Sequence, residues 1–523
     1  MKLLFIIAFT VVAIALLGFA IPARAHIGSP DVFVEDHAGP YRLFVTVRVP
    51  QVIPGIAEIE IRSEANDISK ITVAPMQLTG PGSQYAPVPD VAQRSKTDPQ
   101  FFTGSLWLME FGSLRVRIEV DGAKGHGELS VPVPATAQRT LPMPKFLGAI
   151  LGGLLLVLMV AMISIVAAAV REGSLEPGRQ ATSSTAGRAR VAAGIACFVV
   201  MALLLAGGEW WKAEASRYAD HVYAPPEMQV ALQAGPGGEQ LLLRENSTRI
   251  PAGNPRRDAE LSNFDDLIPD HGHLMHFFMI RTPAMDSFWH LHPEPSGAER
   301  GFTAGLPAVP PGHYQLFADV VLRSGFPVTM IGQIDISAIP GKPLAGADSG
   351  IIAAPITSGG ADTLTSALPD GGRMTWQRDA RPLKANVPLM FRFRVTGSDG
   401  QPAGDLEPYM GMAAHAEIVR SDGSVFAHVH PSGSAAMAAM ELAQASAPGG
   451  STGTGMSGMT MSGMTMPVMA VAGMTPGMTT PGDRVDPEIS FPYGFPKPGL
   501  YRIFVQVKRA GKIETGVFDA NVE

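Results

Sequence analysis

Two apolar runs, at residues 145–170 and 191–208, partition the chain before any other signal is read. Each holds enough consecutive apolar residues to cross ~30 Å of hydrocarbon as a helix. The segment between them, 171–190, is short, polar and carries Arg171, Arg179, Arg188 and Arg190. Short loops rich in arginine mark the cytoplasmic side of a membrane. Trp210 and Trp211 follow the second run, as aromatic residues do at a membrane interface. The pattern predicts a transmembrane hairpin in the inner (plasma) membrane, with both flanking regions on the periplasmic, extracytoplasmic side. Residues 1–25 fit that topology as a signal peptide: Lys2, a long apolar run, then Ala23-Arg24-Ala25 as a small-x-small cleavage site. No ionisable residue lies in the middle of either run, so the hairpin is expected to anchor and not to transport.

Lys and Arg number 40 against 47 Asp and Glu, a net charge of −7, which argues against a nucleic-acid binder with its basic face. The 57 Gly and 45 Pro favour turn-rich β domains over helical bundles. One cysteine excludes both a disulfide framework and a cysteine-ligated zinc site. Period-two alternation at 41–49, 57–62 and 114–120, bounded by Pro and Gly, reads as half-buried strands. Residues 26–141 are therefore expected to form an N-terminal β-sandwich.

The remainder, 225–336 and 374–523, reads as two copies of one unit. In the first, His271-Gly-His273-Leu-Met-His276 leads to Phe288-Trp-His290-Leu-His292-Pro293, then to Pro311-Gly-His313-Tyr314. In the second, Met410-Gly-Met412-Ala-Ala-His415 leads to Phe426-Ala-His428-Val-His430-Pro431, then to Pro498-Gly-Leu-Tyr501. The same blocks recur in the same order. Two further sandwiches are expected, joined by a Gly-, Ala-, Ser- and Pro-rich linker at 341–372. The fold class is thus mainly β: three extracytoplasmic immunoglobulin-like sandwiches and a two-helix membrane hairpin.

The His-x-His-Pro blocks carry the chemistry. On a strand, side chains two apart share a face, so His290 pairs with His292, and His428 with His430. On a helix the same pairs would diverge by about 200°. Pro293 and Pro431 end the strands. His276 and His415 open neighbouring strands, which predicts one site from His276, His290 and His292. A second, softer site is predicted from His415, His428, His430 and Met412. His271, His273 and Met410 lie within reach as further ligands, although His271 and His273 also read as an exposed turn after Pro269-Asp270.

Imidazole suits copper, zinc, iron and nickel, whereas thioether sulfur selects copper, Cu(I) above all. Met456, Met459, Met461, Met464, Met466, Met469, Met474 and Met478 fall in one stretch, 456–478, with neither strand nor helix periodicity. It reads as a flexible methionine-rich loop suited to a soft monovalent ion. Copper, as Cu(I), Cu(II) or both, is accordingly favoured over zinc. Cleavage after Ala25 would leave His26 as N-terminus, whose amine and imidazole form a chelate that Cu(II) favours, with His37 and His126 as conceivable partners.

On Met410-Gly-Met412…His415…His428-Val-His430-Pro, followed by Pro498-Gly-Leu-Tyr501-Arg-Ile-Phe, the repeats resemble the YtkA-like and CopC-like β-sandwich domains of bacteria. That resemblance implies periplasmic copper handling and, at His26, an N-terminal histidine that takes part in Cu(II) binding. The expectation is a membrane-anchored copper-binding protein for storage, buffering or delivery, without catalysis, whose partners are copper ions and a periplasmic copper acceptor or transporter. Two alternatives stay open: an enzyme using the three-histidine sites, and a metal-free adhesion or assembly module.

Overall fold

A computed structural model describes residues 31–173, 175–176, 178–235, 238–245, 266–297, 301–357, 362–445 and 484–523. The signal segment, His26 and the methionine-rich stretch 456–478 lie outside these described residues.

The chain is mainly β, in antiparallel sheets. Val32–Ala38, Tyr41–Arg48, Gly55–Ser63, Phe101–Leu108 and Gln93–Arg94 form one sheet of the N-terminal sandwich in that order. Asp90–Val91, Ile68–Gln77, Gly112–Gly122 and Gly125–Ala135 form the other. The alternation read from the sequence is met in burial: Ala57, Ile59 and Ile61 are buried while Ile56, Glu58 and Arg62 face outward.

Helices α1 (Lys145–Glu172) and α2 (Ser183–Asp220) follow. Both are long and apolar enough to cross a membrane, and their apolar side chains are exposed. α2 extends beyond the expected 191–208 at both ends. The Thr182 hydroxyl caps its start by accepting from the Thr185 amide, and the polar segment after Trp211 continues as helix on charged i,i+3 pairs such as Lys212–Glu209.

The second and third sandwiches each carry one plain sheet and one histidine-bearing sheet. In the second, Leu267–Ile268, Gly312–Leu322, His276–Thr282, Ser287–Leu291 and Ser349–Ile352 lie in that order, with Pro327–Ile336 also on Gly312–Leu322. In the third, Leu406–Glu407, Gly499–Arg509, His415–Arg420 and Phe426–Val429 repeat the order, with Lys512–Val522 on Gly499–Arg509. The stretch 341–372 is more than a linker. Ser349–Ile352 extends the second sandwich's sheet, and Thr365–Ala367 opens a sheet of the third. The short Gly-Ile-Ile sequence gives too little periodicity to reveal such an edge strand.

The two histidine-bearing sheets pack against each other through a core of their own, made of Phe278, Ile280, Met285, Phe288, Phe317, Val419, Phe426 and Phe504. The packing is reciprocal. Phe317 stacks on Phe426 at 4.2 Å between ring centroids, and Phe504 stacks on Phe288 at the same distance. Phe317 and Phe504 occupy matching positions in the repeat, as do Phe288 and Phe426, so the interface approximates a two-fold axis between unlike halves. Each buried phenylalanine contributes roughly 1.5–3 kcal/mol of transfer free energy.

Helix α3 (Met437–Ala445) ties all three sandwiches together. Its Ala438 amide donates to Asp270 Oδ1 at 2.7 Å, in the second sandwich. At its far end the Arg115 guanidinium of the first sandwich donates to the Ala443 carbonyl at 3.2 Å. A carboxyl at the N-terminus and a cation at the C-terminus both complement the helix dipole.

Candidate metal centre

Local sequence places the imidazoles. Asp270-His271-Gly272-His273 and Tyr409-Met410-Gly411-Met412 form equivalent tight turns, closed by Asp270↔His273 and Tyr409↔Met412 bridges. His271 and Met410 both have φ 51°, followed by Gly272 at 83° and Gly411 at 78°. Positive φ at both central residues is the hairpin turn that calls for glycine. The turn aims position 271 toward the partner repeat, and the strands starting at His276 and His415 run directly out of it. Each pairs with its His-x-His strand, in the registers Phe278↔His290 and Glu417↔His428.

Two groups of three imidazoles result, each with one nitrogen per ring within 4.8 Å of the others: His276, His290, His292, and His271, His415, His430. The first joins the three residues expected from the sequence. The second departs from expectation. His271 of the second sandwich joins His415 and His430 of the third, and His428 belongs to neither group. The physical reason is the face-to-face docking, which brings the turn at 271 over the neighbouring repeat, where the His271 Nδ1–H donates to the Met410 carbonyl at 3.1 Å. Met410 thus enters through its backbone. Met412 is fully buried, and the His273 ring lies beside that of His292, tilted by 34° at 4.0 Å between centroids. His126 lies apart, paired with Asp121 in the first sandwich.

Hydrogen bonds fix the tautomers in the first group. His276 Nε2–H donates to the Asp270 carbonyl at 3.1 Å, and His290 Nδ1–H donates to Gln506 Oε1 at 2.8 Å. Gln506 is itself oriented by its amide, which donates to Ser349 Oγ. His292 Nδ1–H donates to Asp348 Oδ1 at 3.0 Å. In each ring the remaining nitrogen then carries a lone pair. His276 Nδ1 and His290 Nε2 stand 3.1 Å apart, and His292 Nε2 is buried without a hydrogen-bond partner among the described residues. In the second group His271 Nε2 stands 3.2 Å from His430 Nε2, and both His415 nitrogens are likewise unpartnered.

Burial keeps these rings neutral. Desolvation pushes His276 and His292 down to about 3 and His271 to about 4. His290, His415, His428 and His430 fall well below the ordinary imidazole value for the same reason, reinforced by neighbouring rings. Buried carboxyls move the other way. Desolvation raises Asp319 and Asp348 to about 6, and Glu417 well above its ordinary value.

Neutral imidazoles with inward lone pairs and outward N–H groups donating to oxygen are what a metal ion requires of histidine ligands. Two nitrogens sharing one ion at about 2.0 Å stand about 3.3 Å apart at the tetrahedral angle, close to both short nitrogen–nitrogen contacts. Without a cation, opposed acceptors in a buried site leave their desolvation uncompensated. The residues fit a metal. Outside the sequence expectation were the supporting groups Asp270, Asp348, Gln506 and Ser349; only their proximity in space marks them.

Residues 366–456 match a family profile described as a domain of unknown function (DUF8832). That span includes His415, His428 and His430. No curated protein matches the chain. Among solved structures, the tetra-tandem repeat in the extending region of a large adhesion protein aligns at 10% identity, covering 91% of this chain and 73% of that one, with a TM-score of 0.15. The ICAM-5 D1–D4 ectodomain fragment aligns at 9% identity, covering 93% and 77%, also at 0.15. Scores of that size carry no argument about function.

Proposed function

We propose that this chain is a membrane-anchored copper-binding protein that stores, buffers or delivers copper on the extracytoplasmic side, with copper as cargo. The observation that carries the reading is the His276–His290–His292 group, with three neutral imidazoles whose inward nitrogens have no proton to share. Imidazole alone would admit zinc, iron or nickel; the thioethers of 456–478 in the same chain favour copper. The apolar helices α1 and α2 would hold the sandwiches at the membrane, with the Arg-bearing 171–190 segment on the cytoplasmic side. A periplasmic acceptor or transporter would receive the ion. Sequence offers no His-Glu-x-x-His pattern, and its Gly-x-Ser-x-Gly match at Gly449-Gly450-Ser451-Thr452-Gly453 lies in a Gly- and Ser-rich run with no strand pattern before it, so binding is preferred to turnover.

The test is metal content and Cu(I) and Cu(II) affinity of the full chain in detergent, set beside His276→Ala/His290→Ala/His292→Ala. The intact chain should retain copper through dialysis and the triple variant should lose one ion. Equal retention by both removes these ligands from consideration, and zinc bound in preference to copper replaces the metal.

A further inference from the structure

His428 belongs to neither group of three, although it occupies the first His-x-His position of its repeat. Its ring centroid is 5.2 Å from His276 and 5.6 Å from His290 on one side, and 5.4 Å from His415 and 4.6 Å from His430 on the other. It therefore borders two members of each group. The three rings of the first group, and His271 of the second, are held by an N–H that donates to oxygen at 2.8–3.1 Å. His428, like His415, has no such tether among the described residues. Its Nδ1 lies 3.6 Å from Asp319 Oδ2, beyond hydrogen-bond length, and its Nε2 is buried and unpartnered. Asp319 accepts from the Thr329 hydroxyl at 2.6 Å through its other oxygen, Oδ1. There is also room to turn. A cavity of about 170 Å³ at the junction of the sandwiches is lined by His428 together with His276, His430 and Asp319.

We propose that His428 is the exchange ligand between the two triads, the imidazole through which a copper ion passes from one to the other. This rests on the copper reading of the site. Ligands locked by second partners hold an ion in place. His428, which borders two rings of each set, can take up an ion from one while the next set forms its bonds, so no intermediate is left bare. Burial of the triads sets no direction, since each joins two buried rings to one partly exposed ring, His292 or His271. The difference lies at the turn: His273, half-buried, is 4.0 Å from His292, whereas its counterpart Met412 is fully buried. An ion in the second triad would leave by way of His428 and then the first triad.

The experiment is release of bound Cu(I) to an excess of a soluble Cu(I) chelator, followed by absorbance, for the full chain in detergent and for His428→Phe. Phenylalanine fills the space beside Phe278, whose ring is 5.1 Å from that of His428, without offering a ligand. The intact chain should bind two ions and release both in one phase. The variant should still bind two, releasing one at the original rate and the other at least tenfold more slowly. Two ions released in one unchanged phase overturn the proposal, as does a variant that binds only one, since His428 is then a holding ligand. An intact chain that binds no copper overturns the function itself, a result separate from either. Should His428→Phe melt earlier than the intact metal-free chain, His428→Gln carries the test, and the same three outcomes decide it.

Discussion

His276 Nδ1 and His290 Nε2 face each other across 3.1 Å, and the proton of each ring is committed to an oxygen on its far side. Strand pairing holds them there, since His290 sits opposite Phe278, two residues along from His276. The sandwich thus keeps two acceptors opposed in a dry interior, an arrangement that opposes folding without metal and favours binding with it. His290→Phe removes one of the two opposed acceptors but leaves Gln506 Oε1 without its donor, so the stability of the metal-free chain should change by no more than about 1–2 kcal/mol. The substitution should also abolish the stabilisation that copper gives at this triad. Denaturant unfolding with chelator, then with copper, reads both effects. A loss of more than about 2 kcal/mol in chelator would mean that the facing pair is not a liability.

The same burial sets a pH signature. His276 is pushed down to about 3 by desolvation, so it stays neutral when folded, whereas its unfolded imidazole takes up a proton near the ordinary 6.5. Its contribution is intact above about pH 6.5 and is lost progressively as pH falls from there toward 3, at up to about 1.4 kcal/mol per unit. His276→Phe removes that linkage. Metal-free wild type should therefore lose stability relative to His276→Phe as pH is lowered from 7 to 5, as read by parallel unfolding curves at each pH. A difference independent of pH would contradict a neutral, buried imidazole.

How much of this was legible beforehand can be read from individual residues. The period-two runs announced strands such as Tyr41–Arg48 and Gly55–Ser63, and His-x-His on a strand announced that His290 and His292 share a direction. The repeat also placed His271 and Met410 at equivalent turn positions. What local sequence could not hold was the docking of one repeat on the other. His271 reaches His430 across 159 residues, and no periodicity encodes that separation. His428 looks identical to His290 within its own block, and only the partner sheet makes one a member of a triad and the other not.

Because the second triad draws on both repeats, an ion bound there bridges them. His271→Ala should lower copper stoichiometry by one. It should also remove the copper-dependent resistance of the repeat interface to unfolding, worth about 2.7 kcal/mol at a hundredfold excess over the dissociation constant. Metal-free stability should change by about 1 kcal/mol or less, the lost His271–Met410 hydrogen bond being offset by relief of the His271–His430 opposition. Limited proteolysis between the repeats, with and without copper, reports the bridging directly. Copper protection that survives in His271→Ala would place the second ion within the third sandwich alone.

The interface itself should not depend on metal. Phe504 is fully buried and stacks on Phe288 at an interplanar angle of 12°. Phe504→Ala should cost about 3–5 kcal/mol through lost burial and a residual cavity. Phe504→Leu, which keeps most of the volume, should cost less than half of that. Copper stoichiometry should fall by one in the alanine variant, because the second triad is assembled across the docked repeats while the first lies within one sandwich. Two ions retained by a destabilised Phe504→Ala would show that the second triad forms without the docked interface.

The methionine-rich stretch follows α3 in sequence, and α3 is anchored at Asp270 and Arg115. Its eight thioethers, with glycine, serine and threonine between them, have the composition of a soft-ion collector and lack the periodicity of a core element. Deletion of 456–478 should slow Cu(I) uptake at low copper concentration and leave the final stoichiometry at the triads unchanged. Thermal unfolding of the metal-free chain should shift by no more than a degree or two, since the fixed end of α3 remains. Uptake rates measured by chelator competition, beside the melting curve, separate the two roles: unchanged uptake would deny the stretch any part in capture, and a large fall in melting temperature would make it part of the packed structure.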